Sequence, residues 1–298
     1  MAGPEIATKP LEEPLPGGSD GARVRVHPLL TAEVLVPDAL MHRRTPFAFP
    51  RAIGIGIPKS KRVWIPAPAF LIEHPTAGAV LVDTGIHPRA GDESRKRMGA
   101  SATWLYDFRY PDGDLPAQLR ARGVESGDVG TVVMTHLHTD HASAISEFPQ
   151  ATFVVDHREW VTAHRRPASL AGYYPPHFEH PFDWRVLDFA GAAPAEGFDG
   201  AFDLFGDGSV TLLATPGHTP GHFSVLARAG QRDVLLTGDA AYTKHTIADG
   251  TMPGIARDDK RFAVTLAQLQ RFVKARPETV VITGHDRETW PTLEAVYA

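Results

Sequence analysis

Short β-prone runs recur through both halves of the chain, at 24–36, 63–72, 79–82, 131–134, 152–155, 210–213, 223–227, 234–236 and 280–282. Several are apolar throughout, as strands covered on both faces are, and most end beside a polar residue, Gly or Pro. Helices are predicted between them. Residues 114–122 stop at Gly123, 142–148 follow a polar stretch, and 158–164 start from the N-cap candidate Asp156. The clearest helix is 258–274, where Phe262, Leu266, Leu269 and Val273 share one face and read as core packing. A last helix at 290–297 would close the chain. Residues 165–183, rich in Pro, His and Tyr, show no period and read as a long ordered loop, a kind of segment that often carries function. Residues 1–21 combine Pro, Gly and charge with few large apolar side chains and read as a disordered tail. Strands leading, with helices spread through both halves, predict one α/β domain of two sheets with helices outside.

One predicted strand end is unusually polar. Directly after 131–134 comes Thr135-His136-Leu137-His138-Thr139-Asp140-His141. Residues two apart in an extended segment point the same way, so His136 and His138 can converge on one ion. Asp140 and His141, in the turn that follows, can reach a second. Imidazole and carboxylate suit zinc, iron or manganese. Fifteen His in the chain make some local pairs a matter of chance, but the spacing H-x-H-x-D-H argues for a metal. Three further candidates each follow an apolar run and a Gly: His218 in Thr215-Pro216-Gly217-His218, Asp239 in Gly238-Asp239, and His285 in Gly284-His285. The Gly lets the backbone turn tightly, and the two oxygens of Asp239 can bridge two ions. Any one alone would be an ordinary loop residue. The set argues for function.

Composition narrows the chemistry. The 298 residues are 43% hydrophobic, enough for a sizeable core. A net charge of −5 offers no general attraction to nucleic acid or an anionic membrane. The absence of cysteine excludes disulfides, thiolate ligands and a Cys nucleophile, leaving His and carboxylates to hold any metal. No apolar run approaches the roughly 20 residues of a membrane helix. The first residues lack a basic-then-apolar leader pattern, so a cytoplasmic location is expected.

H-x-H-x-D-H, the later His218, the Gly238-Asp239 step and the late Gly284-His285 together resemble the metallo-β-lactamase superfamily over about 63–290. Asp83-Thr84-Gly85 matches the turn these proteins carry ahead of the metal motif. The resemblance implies a four-layer αβ/βα sandwich, two mixed sheets flanked by helices, with 22–298 as one hydrolase domain. It implies that His136, His138 and His218 hold one metal, that Asp140, His141 and His285 hold a second, and that Asp239 bridges them. The expected cofactors are two divalent ions, zinc first, with iron, cobalt or manganese as substitutes. Ala142-Ser143-Ala144 departs from the Ala-Gly-Gly or Ala-Gly-Asn run common in the superfamily, placing a side chain where many relatives have none.

Finer segments resemble the N-acyl homoserine lactonases that quench bacterial quorum sensing. They are Leu236-Thr237-Gly238-Asp239-Ala240-Ala241-Tyr242-Thr243-Lys244, Thr215-Pro216-Gly217-His218-Thr219-Pro220-Gly221-His222 and Gly284-His285-Asp286. The resemblance implies a lactone ring opened by hydroxide generated between the metals. Tyr242 would donate a hydrogen bond to the developing oxyanion, and Asp140 would relay a proton to the leaving alkoxide. The expected partner is a small-molecule lactone rather than nucleic acid or membrane, with a homodimer left open. The alternatives are hydrolysis of another ester, thioester or β-lactam and, more distantly, a single-iron persulfide dioxygenase, which would need neither the second ligand set nor Tyr242. His222 reads either as a residue orienting a ligand or as a satisfied core histidine. Trp104, Tyr106, Phe108, Tyr173, Tyr174 and Phe178 are candidates for an acyl pocket or for loop packing.

Overall fold

The computed structural model describes residues 6–43, 49–93, 96–99, 105–165 and 167–298. Among them, one sheet holds β1 (Thr8–Pro10), β2 (Arg25–Pro37), β3 (Arg62–His74), β4 (Gly78–Val82), β5 (Phe108–Arg109), β6 (Val129–Val133), β7 (Thr152–Asp156) and β8 (Asp183–Leu187). Their order is β1-β8-β7-β6-β4-β3-β2-β5. The second sheet holds β9 (Ala201–Asp203), β10 (Val210–Ala214), β11 (Phe223–Ala229), β12 (Arg232–Leu236) and β13 (Val280–Ile282), in the order β13-β12-β11-β10-β9.

Alternation along each strand decides which layer a side chain enters. Val80 and Val82 of β4 point between the sheets, where they join Leu212, Val225, Val234 and Leu236 of the second sheet. Leu81 points outward into the layer formed with Leu115 and Leu119 of the helix Leu115–Arg120. On the far side, Leu213, Leu226 and Leu235 pack outward against Leu269 and Phe272 of the helix Asp259–Ala275. Both faces of both sheets are therefore covered, which is why the strands read as continuous apolar runs. The result is the expected four-layer αβ/βα sandwich. In the long helix Phe272 is buried and Val273 only partly so, a shift of one residue from the face read in the sequence.

Strand direction places the site. β4 and β6 run parallel with Val82 beside Val133, and β12 and β13 run parallel with Leu236 beside Ile282. β10 shares the direction of β12 because both are antiparallel to β11. The segments leaving the carboxyl ends of these five strands meet at one edge of the sandwich.

Four local expectations are corrected. Residues 1–21 are not a disordered tail from Ile6 onward: β1 pairs with β8, and buried Leu11 donates its N–H to the Val186 carbonyl at 2.9 Å. Pro10 is tolerated there because β1 is an edge strand. The domain thus begins before residue 22. Residues 290–297 form only the 3-10 turn Trp290–Thr292. A helix that short is marginal alone, whereas Tyr297 exchanges two backbone hydrogen bonds with Val26 at 2.9 Å. The helix expected at 142–148 starts earlier, inside the metal motif, as Thr139–Ala142, followed by the 3-10 turn Ile145–Glu147. The loop expected at 165–183 contains 3-10 turns at Ala168–Ala171 and Pro175–His177, and its last residue begins β8.

Candidate metal centre

Past Val133 the chain bends at Thr135, is extended again at His138 and then turns into Thr139–Ala142. His136 and His138 consequently sit together, ring centroids 4.7 Å apart. His218, following β10, brings Nε2 to 2.8 Å from His138 Nδ1. One ligand-type nitrogen from each of His136, His138 and His218 lies within 4.8 Å of the others, and the triad Asp140, His141 and His285 meets the same limit. Asp239, following β12, stands between the triads. Its Oδ2 is 3.1 Å from His218 Nε2 and 3.8 Å from His136 Nε2. Its Oδ1 is 3.3 Å from His141 Nε2 and 3.1 Å from His285 Nε2. All seven residues singled out in the sequence are brought together, with one oxygen of Asp239 turned to each side.

The residues fit metal ions. His136 Nε2, His141 Nε2 and Asp239 Oδ1 are buried without a well-directed hydrogen bond and only in ion-pair contact, which is costly unless something binds there. Burial, reinforced by the neighbouring imidazoles, holds His136 well below the ordinary pKa, and burial does the same to His218. Both are neutral and ready to act as ligands. Burial also pulls His141 down, but the Asp239, Asp83 and Asp140 carboxylates more than offset it and raise it well above the usual value. Burial opposes ionisation of Asp239, yet His285, His218 and His141 hold it well below the carboxylate range. A negative bridge among nitrogen donors, without a thiolate, suits zinc or a similar divalent ion.

Other residues aim these side chains, and several gave no local signal in the sequence. Asp83 adopts φ 58°, a conformation rare outside Gly but accessible to Asp. Its carboxylate accepts from the Thr135 N–H at 2.8 Å and the Thr135 hydroxyl at 2.7 Å, and lies 2.8 Å from His141 Nδ1. His285 Nδ1 donates to the Pro66 carbonyl at 2.8 Å. His222 is not in either triad: its Nε2 accepts the Asp239 N–H at 3.0 Å. The Ser224 hydroxyl donates to the Thr237 carbonyl, so Thr215 donates to Ser224 and His222 Nδ1 donates to Thr215, each across 2.9 Å. That chain fixes the tautomer that leaves Nε2 free to accept, so His222 is a satisfied core histidine that also holds the Asp239 loop, and its two sequence readings coincide. Gly238 needs its positive φ of 50°. Gly284 is required by close approach instead, since a Cβ there would lie 2.8 Å from Asp239 Oδ1.

Tyr242 is 4% exposed, with Oη 3.3 Å from His218 Nδ1. Burial, then Asp239 and Asp140, push its pKa well above the usual phenol value. Of the aromatic candidates, Tyr106 borders the site: burial, then Asp140, raise it to about 12. The Tyr173 ring lies 4.8 Å from that of His138. Phe178 is fully buried against Trp160 and His164 and serves loop packing. Trp104 lies outside the described residues. Ser143, the departure noted in the sequence, accepts the His87 N–H at 3.0 Å and points its hydroxyl at Met98 Sδ, anchoring the segment beyond β4.

The family model of the metallo-β-lactamase superfamily matches residues 62–285, which span every member of both triads. The chain belongs to this superfamily. Within it, the chain is 35% identical over 234 residues to N-acyl homoserine lactonase AttM of Azorhizobium caulinodans, covering 77% of this chain and 85% of that protein. It is 28% identical over 249 residues to N-acyl homoserine lactonase AiiB of Agrobacterium fabrum, covering 78% and 84%. Among solved structures, an N-acyl homoserine lactone hydrolase with N-hexanoyl-L-homoserine at its catalytic metal centre superposes with TM-score 0.73 at 22% identity, covering 92% of this chain and 97% of that one. The dizinc quorum-quenching lactonase AidC shares the fold at TM-score 0.59 and 15% identity, covering 92% and 93%.

Proposed function

We propose that this chain is a two-metal hydrolase that opens the lactone ring of N-acyl homoserine lactones, with zinc as its first-choice ion. The observation that carries the reading is Asp239 standing with one oxygen toward each triad and Tyr242 at its side. It does so in a chain 35% identical to an N-acyl homoserine lactonase over 85% of that protein. His136, His138 and His218 would hold one ion, Asp140, His141 and His285 the other, and Asp239 both. Bound there, divalent ions lower the pKa of a water from near 16 toward roughly 7 and polarise a carbonyl, supplying a nucleophile to a chain without cysteine.

The protein's own groups do the rest. With His218 Nε2 directed at the ligand position, Nδ1 carries the proton and donates to Tyr242 Oη. The phenol hydrogen then faces Asp239, its neighbour in this structure, or an oxygen that enters the cleft. A preorganised donor there stabilises negative charge as it develops on the lactone carbonyl oxygen. Asp140 is partly open, with its side chain 34% exposed and Oδ2 3.6 Å from His285 Nε2. In this reading it takes the proton released on attack and passes it to the departing ring oxygen.

The test compares opening of N-acyl homoserine lactones of graded acyl length with hydrolysis of aryl esters and β-lactams, with metal analysis on the same sample. The reading expects two metals per chain and lactones turned over fastest. Faster cleavage of an aryl ester or β-lactam by the two-metal protein would overturn the substrate assignment. About one iron per chain would favour the single-iron dioxygenase reading.

A further inference from the structure

The three imidazoles of the first triad ride on loops from different sheets, 134–138 after β6 and 215–222 after β10. A third element ties those loops together. Glu159, in the helix His157–Ala163, is fully buried and belongs to neither triad. Its Oε1 accepts the N–H of Leu137, the residue between His136 and His138, at 3.0 Å. Its Oε2 accepts the N–H of Gly221, three residues past His218, at 3.3 Å. The Thr219 and Tyr173 hydroxyls lie beside the same carboxylate. Tyr173 is the residue whose ring lies against His138, and the neighbouring Gly172 carbonyl accepts the Thr139 N–H at 3.2 Å. The approach is close enough to demand glycine at 221, where a Cβ would come within 2.3 Å of Glu159 N and 2.4 Å of Asp156 Oδ1.

A buried carboxylate is expensive unless its oxygens are fully engaged. Here each oxygen receives a backbone N–H from a different ligand-bearing loop, an arrangement that no amide can reproduce, since an amide has only one acceptor oxygen. We infer that Glu159 is a positioning residue for the first metal: it sets the spacing of the His136–His138 loop against the His218 loop. The inference rests on the two-metal reading above.

The test titrates zinc into metal-free protein against a chromophoric chelator, for wild type, Glu159→Gln and Glu159→Asp, with His218→Ala marking which binding step belongs to the first triad. Asp keeps the charge but is one methylene too short to span both loops. In both Glu159 variants the marked step should weaken about 10–100-fold, the usual effect of losing a group that orients ligands. The other step should stay within about twofold, with an unchanged far-UV spectrum. Unchanged affinity at both steps in either folded variant would overturn the inference. So would equal weakening of both steps, or loss of fold in both variants, because a general structural role predicts those results. Fewer than two zinc ions bound by wild type would instead remove the two-metal reading, and this inference with it.

Discussion

Replacing Tyr242 with Phe removes one oxygen and leaves everything that holds the ring. The ring sits edge-on to His218 and His285, with centroids 5.6 Å and 5.2 Å away, and these contacts survive the change. What is lost in the resting protein is the 3.3 Å contact to His218 Nδ1 and the hydrogen bond toward Asp239. A net hydrogen bond of this kind contributes about 0.5–1.5 kcal/mol, so Tm should fall by only a few degrees. The loss in turnover should be larger. Removing a preorganised oxyanion donor costs about 10²-fold or more in kcat, about 2.7 kcal/mol at 1.36 kcal/mol per tenfold. Because the bond strengthens as charge develops, kcat should fall more than KM rises. The assay is opening of N-hexanoyl homoserine lactone followed by acid release, on samples of matched metal content. A variant that keeps its metals and retains kcat within about threefold of wild type would refute the role. Loss of metal in parallel with rate would show that Tyr242 acts through His218 instead.

Three further outcomes follow from the geometry. Asp83→Asn tolerates the same positive φ but cannot accept from both Thr135 N–H and His141 Nδ1, so metal affinity on the His141 side should drop about 10–100-fold in a chelator competition. Equal affinity would show that His141 is aimed without it. His222→Ala leaves the Asp239 N–H buried without its acceptor and should lower unfolding free energy by about 1–3 kcal/mol in a denaturant titration, with a weaker hold on both metals. Leu269→Ala, in the outermost packed layer, should lose about 2–5 kcal/mol of stability while the folded fraction keeps its kcat.

Both the sandwich and the residues that gather at its edge were legible because they rest on local patterns. Strands buried on both faces appear as apolar runs, and a Gly followed by His or Asp at a run's end marks a side chain turned into the cleft. What the pattern missed was short or held from a distance. Thr8-Lys9-Pro10 carries no apolar alternation and becomes a strand only because β8 offers it an edge. Asp83, noted in the sequence only as part of a turn, and Glu159 orient groups on other segments, Asp83 reaching Thr135 across 52 positions and Glu159 reaching Gly221 across 62. No period within either segment reports such a contact. Tyr173, a candidate for an acyl pocket or for loop packing, packs on His138. In the same long loop the Gly172 carbonyl accepts the Thr139 N–H.

The measurement that bears most directly on the account is turnover of N-hexanoyl homoserine lactone as metal-free protein is titrated with zinc. The shared position of Asp239 predicts that activity stays low through the first equivalent and rises to its maximum with the second. Full activity at one equivalent, or no lactone opening with two ions bound, would contradict it.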